Sequence, residues 1–188
     1  DGDQLLYVIA SDRQRAGKLQ GPVVGTVMSN LGLEQKLQAE GVEFLRARVG
    51  DRYVLAMLKE HGGVLGGETS GHLLCLDRTT TGDGLISALE VLAVMKRTGR
   101  PLAELVAGMP KFPQVMINVR VRERIDPSQS QVIQDAVRRV EKVLGSTGRV
   151  VLRASGTEPV IRVMIEAEDE AVAARHAKEL AEVVRTAI

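Results

Sequence analysis

The sequence predicts a mixed α/β layered domain over residues 1–109, followed over residues 110–188 by a small α+β domain with an antiparallel sheet and two helices. Three observations predict this division. Strand-like and helix-like segments alternate in the first part, as in layered α/β domains. The alternation changes at the segment Pro110–Pro113, which contains two prolines. Beyond it, two helical segments carry apolar residues at matching spacing, so both can cover one face of a small sheet.

In the first domain, local signals for helices and strands follow one another along the chain. Asp3 is predicted to cap the first helix, which is expected to stop near Gly17. Asn30 and Asp83 are predicted to cap two later helices, because each directly precedes a segment with helical apolar spacing. The predicted order is strand 22–28, helix 30–41, strand 42–49, helix 51–61, two short strands around a glycine-rich turn, and a long helix from Asp83 through Lys96.

The second domain is predicted to contain three strands and two helices. Apolar residues recur at three- and four-residue spacing in both helical segments, which gives each helix one apolar face. His176 falls on this face of the second helix, so the pattern favours a packed histidine over a catalytic one. The predicted order is strand 115–121, helix 128–144, strand 149–153, strand 160–167 and helix 170–188.

Composition excludes several classes of protein. Lys and Arg number 25 against 24 Asp and Glu, so the net charge of +1 provides no basic surface for nucleic acid. Aromatic residues make up only 2%, too few for stacking on single-stranded bases. No apolar run approaches the roughly 20 residues that cross a bilayer. The one cysteine, Cys75, has no partner for a disulfide or a zinc cluster, which predicts a cytoplasmic location.

The first segment with candidate chemistry is the glycine-rich loop, residues 66–72. Its glycines alternate with Glu68, Ser70 and His72, so the chain can fold back and present three polar side chains together. A carboxylate beside a hydroxyl suits the vicinal hydroxyls of a sugar, each of which donates and accepts hydrogen bonds. The alternative is an ordinary polar hairpin between two strands.

The second such segment is the arginine-flanked loop, residues 153–162. Ser155 and Thr157 supply hydroxyls, and Gly156 lets backbone N–H groups turn inward. Arg153 and Arg162 can bind an anion with two N–H groups each, which predicts a phosphate site. The alternative is a Ser-Gly turn with surface arginines. The segment lacks the glycine and lysine spacing of a Walker loop.

The first three residues, Asp1-Gly2-Asp3, place two carboxylates near each other. Magnesium would need further ligands that the segment lacks, so a helix cap at Asp3 is favoured over a metal site. Because the segment is neither an initiator methionine nor a signal peptide, we expect the chain to begin inside a longer protein.

The two loops together resemble those of the α-D-phosphohexomutase superfamily. The glycine-rich loop is similar to its sugar-recognition motif G-E-x-S-G-H, and the arginine-flanked loop to its phosphate-binding motif R-x-S-G-T-E-P-x-I-R. The segments 49–53 and 79–84 resemble the branch that acts on glucosamine phosphates, and the resemblance runs along the whole chain. Gly156 favours this branch, whereas Thr69 stands where Gln or Asn is more usual.

This resemblance implies that the chain corresponds to the third and fourth domains of a four-domain enzyme. In that family a phosphoserine in the first domain and a magnesium loop in the second domain perform phosphoryl transfer. Glucosamine or glucose 1,6-bisphosphate is the intermediate or activator. The third domain is a mixed α/β layer, and the fourth resembles the TATA-binding-protein fold. The chain alone is therefore expected to be an inactive part of an enzyme that interconverts glucosamine 6-phosphate and glucosamine 1-phosphate.

Roles for individual residues follow from the same resemblance. Glu68 and Ser70 would bind sugar hydroxyls, and His72 would support them or shuttle a proton. Asp51 and Arg52 are further candidates for the same cleft. The residues implied to bind phosphate are Arg153, Ser155, Gly156, Thr157, Glu158 and Arg162.

The implied partners are a phosphosugar and the first two domains of the same chain, without nucleic acid or membrane. The resemblance leaves a homo-oligomer open. Three other functions also stay open: an enzyme for mannose or glucose phosphates, a phosphosugar-binding module without catalysis, and a purely structural or oligomerising domain.

Overall fold

The computed structural model describes residues 1–122, 126–156 and 158–188. The chain divides into two compact units, which are the first unit, Asp1–Lys111, and the second unit, Phe112–Ile188. No helix among the described residues is both long enough and apolar enough to span a membrane.

The first unit is a layered α/β domain, as the sequence predicts. Its four strands are ordered β2-β1-β3-β4, with β1 parallel to β2 and β3, and β4 antiparallel to β3. The elements are α1 (Gly2–Arg15), β1 (Val23–Thr26), α2 (Leu31–Ala39), β2 (Phe44–Ala47), α3 (Asp51–His61), β3 (Leu65–Gly67), β4 (Leu73–Cys75), α4 (Gly84–Thr98) and α5 (Leu102–Val106).

Both faces of this sheet are buried. Val23 and Leu73 pack with α1 and α4 in one apolar cluster, whereas their neighbours Val24 and Leu74 pack with α3 in another. Successive strand residues point to opposite faces, so short apolar strands supply both clusters. Burial on both faces fixes the sheet and leaves its edges and strand ends for loops.

The caps of the first unit agree with the sequence at two positions and differ at one. Asn30 accepts a hydrogen bond from Gly32 N and caps α2, and Asp83 accepts from Leu85 N and caps α4. The prediction that Asp3 caps the first helix is wrong. Asp1 caps α1, because its side chain accepts from Gln4 N while the Gln4 side chain accepts from the Asp1 amino group.

The second unit is a three-stranded antiparallel sheet with two helices, as predicted. The strand order is β5-β7-β6, so the last strand along the chain occupies the centre. Both helices pack on the face formed by alternate residues such as Val119, Ile161 and Val163. The elements are β5 (Gln114–Arg120), a 3-10 turn (Pro127–Gln129), α6 (Gln131–Leu144), a second 3-10 turn (Gly145–Thr147), β6 (Gly148–Ala154), β7 (Val160–Ala167) and α7 (Glu170–Thr186).

Candidate functional site

The glycine-rich loop is a tight turn between β3 and β4. Gly71 N donates a hydrogen bond to Glu68 O at 2.9 Å, and Glu68 N donates to His72 O at 2.9 Å. Gly71 has a φ of +101°, in the region that favours glycine, so the turn requires glycine there. The turn follows β3, one of three parallel strands, and therefore lies at the carboxyl edge where open α/β sheets bind ligands.

The turn brings together the three side chains that the sequence singles out. Ser70 Oγ lies 3.4 Å from His72 Nδ1, and His72 Nδ1 lies 4.0 Å from Glu68 Oε2. The Glu68 side chain is only 13% exposed, whereas that of His72 is 73% exposed. The carboxylate is thus fixed below a hydroxyl and an imidazole that face solvent, an arrangement that offers several donors and acceptors to a polyhydroxylated ligand.

Glu68 is held from a second segment of the first unit. Its Oε1 accepts a hydrogen bond of 2.9 Å from Gly50 N, directly before α3. A carboxylate at the start of a helix is stabilised by the helix dipole. This contact brings Asp51 and Arg52, the first residues of α3, beside the glycine-rich loop. The guanidinium of Arg52 lies 4.5 Å from the centre of the Tyr53 ring.

Asp3 has a role in this site that the sequence reasoning missed. Its Oδ2 accepts hydrogen bonds from Thr69 Oγ1 and from Asn30 N, each at 2.9 Å. Gly2 N also donates to Thr69 O at 3.0 Å. No local pattern could reveal these contacts, because Asp3 and Thr69 are 66 residues apart along the chain.

The arginine-flanked loop connects β6 to β7 in the second unit. Ser155 is buried, and its N–H donates to Val160 O at 2.8 Å, which closes the base of the loop. Glu158 N donates to Ser155 Oγ at 3.4 Å, while Gly156 and the Glu158 side chain are exposed. Thr157 lies outside the described residues.

Arg153 and Arg162 stand directly opposite each other on β6 and β7. Their neighbours Leu152, Ile161 and Val163 face the helices, so the two arginines share the other face of the sheet. Within the described parts of the chain, neither arginine has a carboxylate at ion-pair distance. Burial lowers the pKa of the Arg153 guanidinium, and the charge of Arg162 lowers it further. Among the described residues, the two positive charges face each other without a neutralising negative charge, so this part of the sheet is suited to bind an anion.

Metal ligation is not a feature of the described residues. Within ranges 1–122, 126–156 and 158–188, no group of three or more His, Cys, Asp or Glu side chains is placed to hold a metal ion. Asp1 and Asp3 also have different surroundings. Asp1 caps α1 and forms an ion pair of 2.6 Å with Lys111, whereas Asp3 is buried. The residues described here therefore do not fit a magnesium site.

Comparison with known proteins agrees with this fold. Residues 1–112 match the family model "Phosphoglucomutase/phosphomannomutase, alpha/beta/alpha domain III". Residues 116–183 match "Phosphoglucomutase/phosphomannomutase, C-terminal domain". The chain is 56% identical to a phosphoglucosamine mutase of Alkalilimnicola ehrlichii, over 100% of this chain and 42% of that protein. It is 58% identical to that of Methylococcus capsulatus, over 90% of this chain and 38% of that protein. The chain thus spans about two fifths of these curated relatives.

Solved structures show the same fold at lower identity. The N-acetylphosphoglucosamine mutase of Aspergillus fumigatus, in complex with GlcNAc-6P and magnesium, matches 98% of this chain and 47% of its own with a TM-score of 0.83 and 22% identity. A product complex of N-acetylglucosamine-phosphate mutase matches 98% of this chain and 44% of its own with a TM-score of 0.83 and 20% identity. The family models cover both units, and the chain belongs to the phosphoglucomutase/phosphomannomutase family, as its domain III and C-terminal domain.

Proposed function

We propose that this chain is the sugar- and phosphate-binding part of a phosphoglucosamine mutase. The whole protein would interconvert glucosamine 6-phosphate and glucosamine 1-phosphate through a sugar bisphosphate, in the synthesis of cell-wall amino sugars. The names of relatives that are 56% and 58% identical support this substrate. The structural observation that carries the proposal is the pair of arginines that face each other beside the arginine-flanked loop.

The arginine pair is suited to a phosphate by charge and geometry. Directly opposed like charges on neighbouring strands destabilise a sheet, so a dianion between Arg153 and Arg162 would relieve their repulsion. Each guanidinium can donate two parallel N–H groups to phosphate oxygens. Ser155, Gly156, Thr157 and Glu158 complete the proposed site by resemblance to the family motif. Such a site binds phosphate whichever sugar carbon carries it, as a reaction through a bisphosphate requires.

The glycine-rich loop would recognise the sugar. Glu68 Oε1 already accepts a hydrogen bond from Gly50 N, so Oε2 can accept a hydrogen bond from a sugar hydroxyl. Ser70 would contact a neighbouring hydroxyl, and the exposed His72 would support Glu68 or carry a proton. This division predicts that the arginines supply most of the affinity and that Glu68 supplies discrimination between sugars.

The chemistry itself is assigned to the rest of the protein. We infer that a phosphoserine and a magnesium site lie in the part of the longer relatives that this chain does not span, in two further domains of the same chain. Magnesium would neutralise charge on the transferring phosphoryl group there. We also infer a cytoplasmic location. The chain alone should bind the phosphosugar without converting it.

An amide-shift NMR titration of this chain with glucosamine 6-phosphate tests the proposal. Glucose 6-phosphate, mannose 6-phosphate and inorganic phosphate serve as comparison ligands at matched ionic strength. Saturable shifts in residues 66–72 and in the arginine-flanked loop, with the tightest binding for glucosamine 6-phosphate, are the expected result. Equal affinity for all four ligands, with shifts confined to the arginine-flanked loop, would leave an anion site and refute sugar recognition.

Two substitutions separate the loops, and a third controls for charge. Arg162→Ala should weaken binding of every ligand by roughly tenfold or more, since a charge-assisted hydrogen bond contributes about 1.5–3 kcal/mol. Glu68→Ala should weaken glucosamine 6-phosphate binding and leave inorganic phosphate unchanged. Arg185→Ala removes the same charge from the exposed end of α7, where Arg185 pairs with Glu182, and should change neither. Equal losses in the Arg162 and Arg185 variants would mean that net charge alone explains binding.

A further inference from the structure

We propose that Asp3 and Thr69 form a buried latch that positions Glu68 and thereby sets the sugar specificity of the glycine-rich loop. The inference rests on the proposed role of this loop in sugar binding. It concerns two positioning residues, because neither Asp3 nor Thr69 is placed to be a catalytic group.

The latch joins three segments of the first unit at one carboxylate. Asp3 Oδ2 accepts from Thr69 Oγ1 in the glycine-rich loop and from Asn30 N before α2, each at 2.9 Å. Gly2 N donates to Thr69 O, so the same loop residue is held by backbone and by side chain. The starts of α1 and α2 therefore fix the position of Thr69.

The space around the latch leaves the loop little freedom. A Cβ built on Gly2 would lie 2.0 Å from Glu68 O and 2.7 Å from Gly71 N. The backbone of α1 thus touches both ends of the turn. Thr69 directs its side chain inward to Asp3, and Glu68, one residue earlier, is held by Gly50 N. Displacement of Thr69 would therefore move Glu68.

The chemistry of Asp3 indicates that the latch holds the glycine-rich loop in a defined geometry. Asp3 is 1% exposed, and its carboxylate has no cation at ion-pair distance within the described ranges. Its second oxygen, Oδ1, is buried without a hydrogen-bond partner there. A buried, incompletely satisfied carboxylate is costly, and such features concentrate where function requires a defined position.

Two variants at position 69 test the latch. Thr69→Val removes the hydroxyl and keeps the shape, whereas Thr69→Ser keeps the hydroxyl. We expect Thr69→Val to bind glucosamine 6-phosphate roughly three- to tenfold more weakly, as loss of one hydrogen bond implies. Its affinity for inorganic phosphate should match that of the parent chain, whereas its urea midpoint should fall modestly, because the buried Asp3 carboxylate loses a hydrogen bond. Thr69→Ser should restore sugar binding.

Amide hydrogen exchange of the ligand-free chain provides a readout that does not depend on sugar binding. Glu68 N–H and Gly71 N–H should exchange faster in Thr69→Val and at the parent rate in Thr69→Ser. Unchanged exchange, or unchanged sugar affinity in a chain whose parent binds glucosamine 6-phosphate, would overturn the latch and leave the proposed function standing. A parent chain that binds no sugar would refute the proposed function and the specificity role together, and the exchange rates would then show only whether the loop is held.

Discussion

The first helical residues of α1 and α4 offer a matched pair of substitutions. Gly2 and Gly84 each follow an aspartate that caps the helix. Their surroundings differ, because a Cβ at Gly2 would lie 2.0 Å from Glu68 O, whereas a Cβ at Gly84 would meet no heavy atom within 4 Å. Replacement of each glycine by alanine therefore makes the same change in helix propensity with and without a steric clash.

The expected magnitudes follow from these distances. Alanine is more favourable than glycine within a helix by up to about 1 kcal/mol, so Gly84→Ala should raise the free energy of unfolding by about 0.5 kcal/mol. Gly2→Ala gains a similar amount but forces a methyl group against backbone, which costs about 1–3 kcal/mol. Lengthening of the hydrogen bond from Gly2 N to Thr69 O removes about 1 kcal/mol more. The propensity gain is common to both variants, so they should differ by roughly 2–4 kcal/mol, with Gly2→Ala the less stable.

Urea unfolding, followed by amide resonances of the first unit, measures this difference. Gly2→Ala should also shift the resonances of Glu68 and Gly71 in the native state, whereas Gly84→Ala should leave them unchanged. Equal changes in unfolding free energy for both variants, or unshifted loop resonances in Gly2→Ala, would show that α1 does not confine the glycine-rich loop.

Two further predictions concern titratable groups of the first unit. Burial raises the pKa of the Cys75 thiol to about 11, so the native chain should react with a thiol reagent at pH 8 far more slowly than the chain in urea; equal rates would contradict this burial. Burial works to raise the pKa of Glu40, but hydrogen bonds from Ser11, Lys36 and Tyr7 outweigh it, and the pKa lies below its ordinary value. The contribution of Glu40 to stability is therefore present at neutral pH and is lost as the pH falls through its folded-state pKa. Thermal melts of Glu40→Gln from neutral to acidic pH should show a shallower acid-side fall than the parent chain, and parallel curves would refute the assignment.

The order of helices and strands could be predicted because it depends on local patterns. Asn30 and Asp83 cap their helices through bonds to residues two or three positions away, within reach of any sequence pattern. The prediction of the α1 cap at Asp3 was wrong, although Asp1 and Gln4 have the local spacing of a capping box that could have identified Asp1. By contrast, α5 (Leu102–Val106) has only five residues, too few to show helical periodicity.

The residue types of the candidate site could be predicted from the sequence. The hydrogen bonds that hold these residues in position could not. Glycines on both sides of Glu68 indicate a loop, and arginines on both sides of Ser155 indicate an anion site. The contacts that hold Glu68 join it to Gly50, 18 residues away, and hold Thr69 to Asp3, 66 residues away. Such contacts exist only after the parallel strands bring their carboxyl ends to one edge, so they depend on the tertiary fold.

The two loops differ in how many of their polar and charged groups already have partners within the protein. This difference supports the proposal that one loop recognises the sugar and the other binds the phosphate. In the glycine-rich loop, the backbone and one oxygen of Glu68 are already bonded within the first unit, so the loop holds its shape without a ligand. The arginine pair of the second unit is left with opposed like charges, and a bound dianion is what would stabilise it. A preformed hydrogen-bonding surface distinguishes ligands by fit, whereas an uncompensated pair of like charges binds an oppositely charged ligand by attraction. The phosphate should therefore determine whether a ligand binds, and the sugar loop should determine which ligand it is.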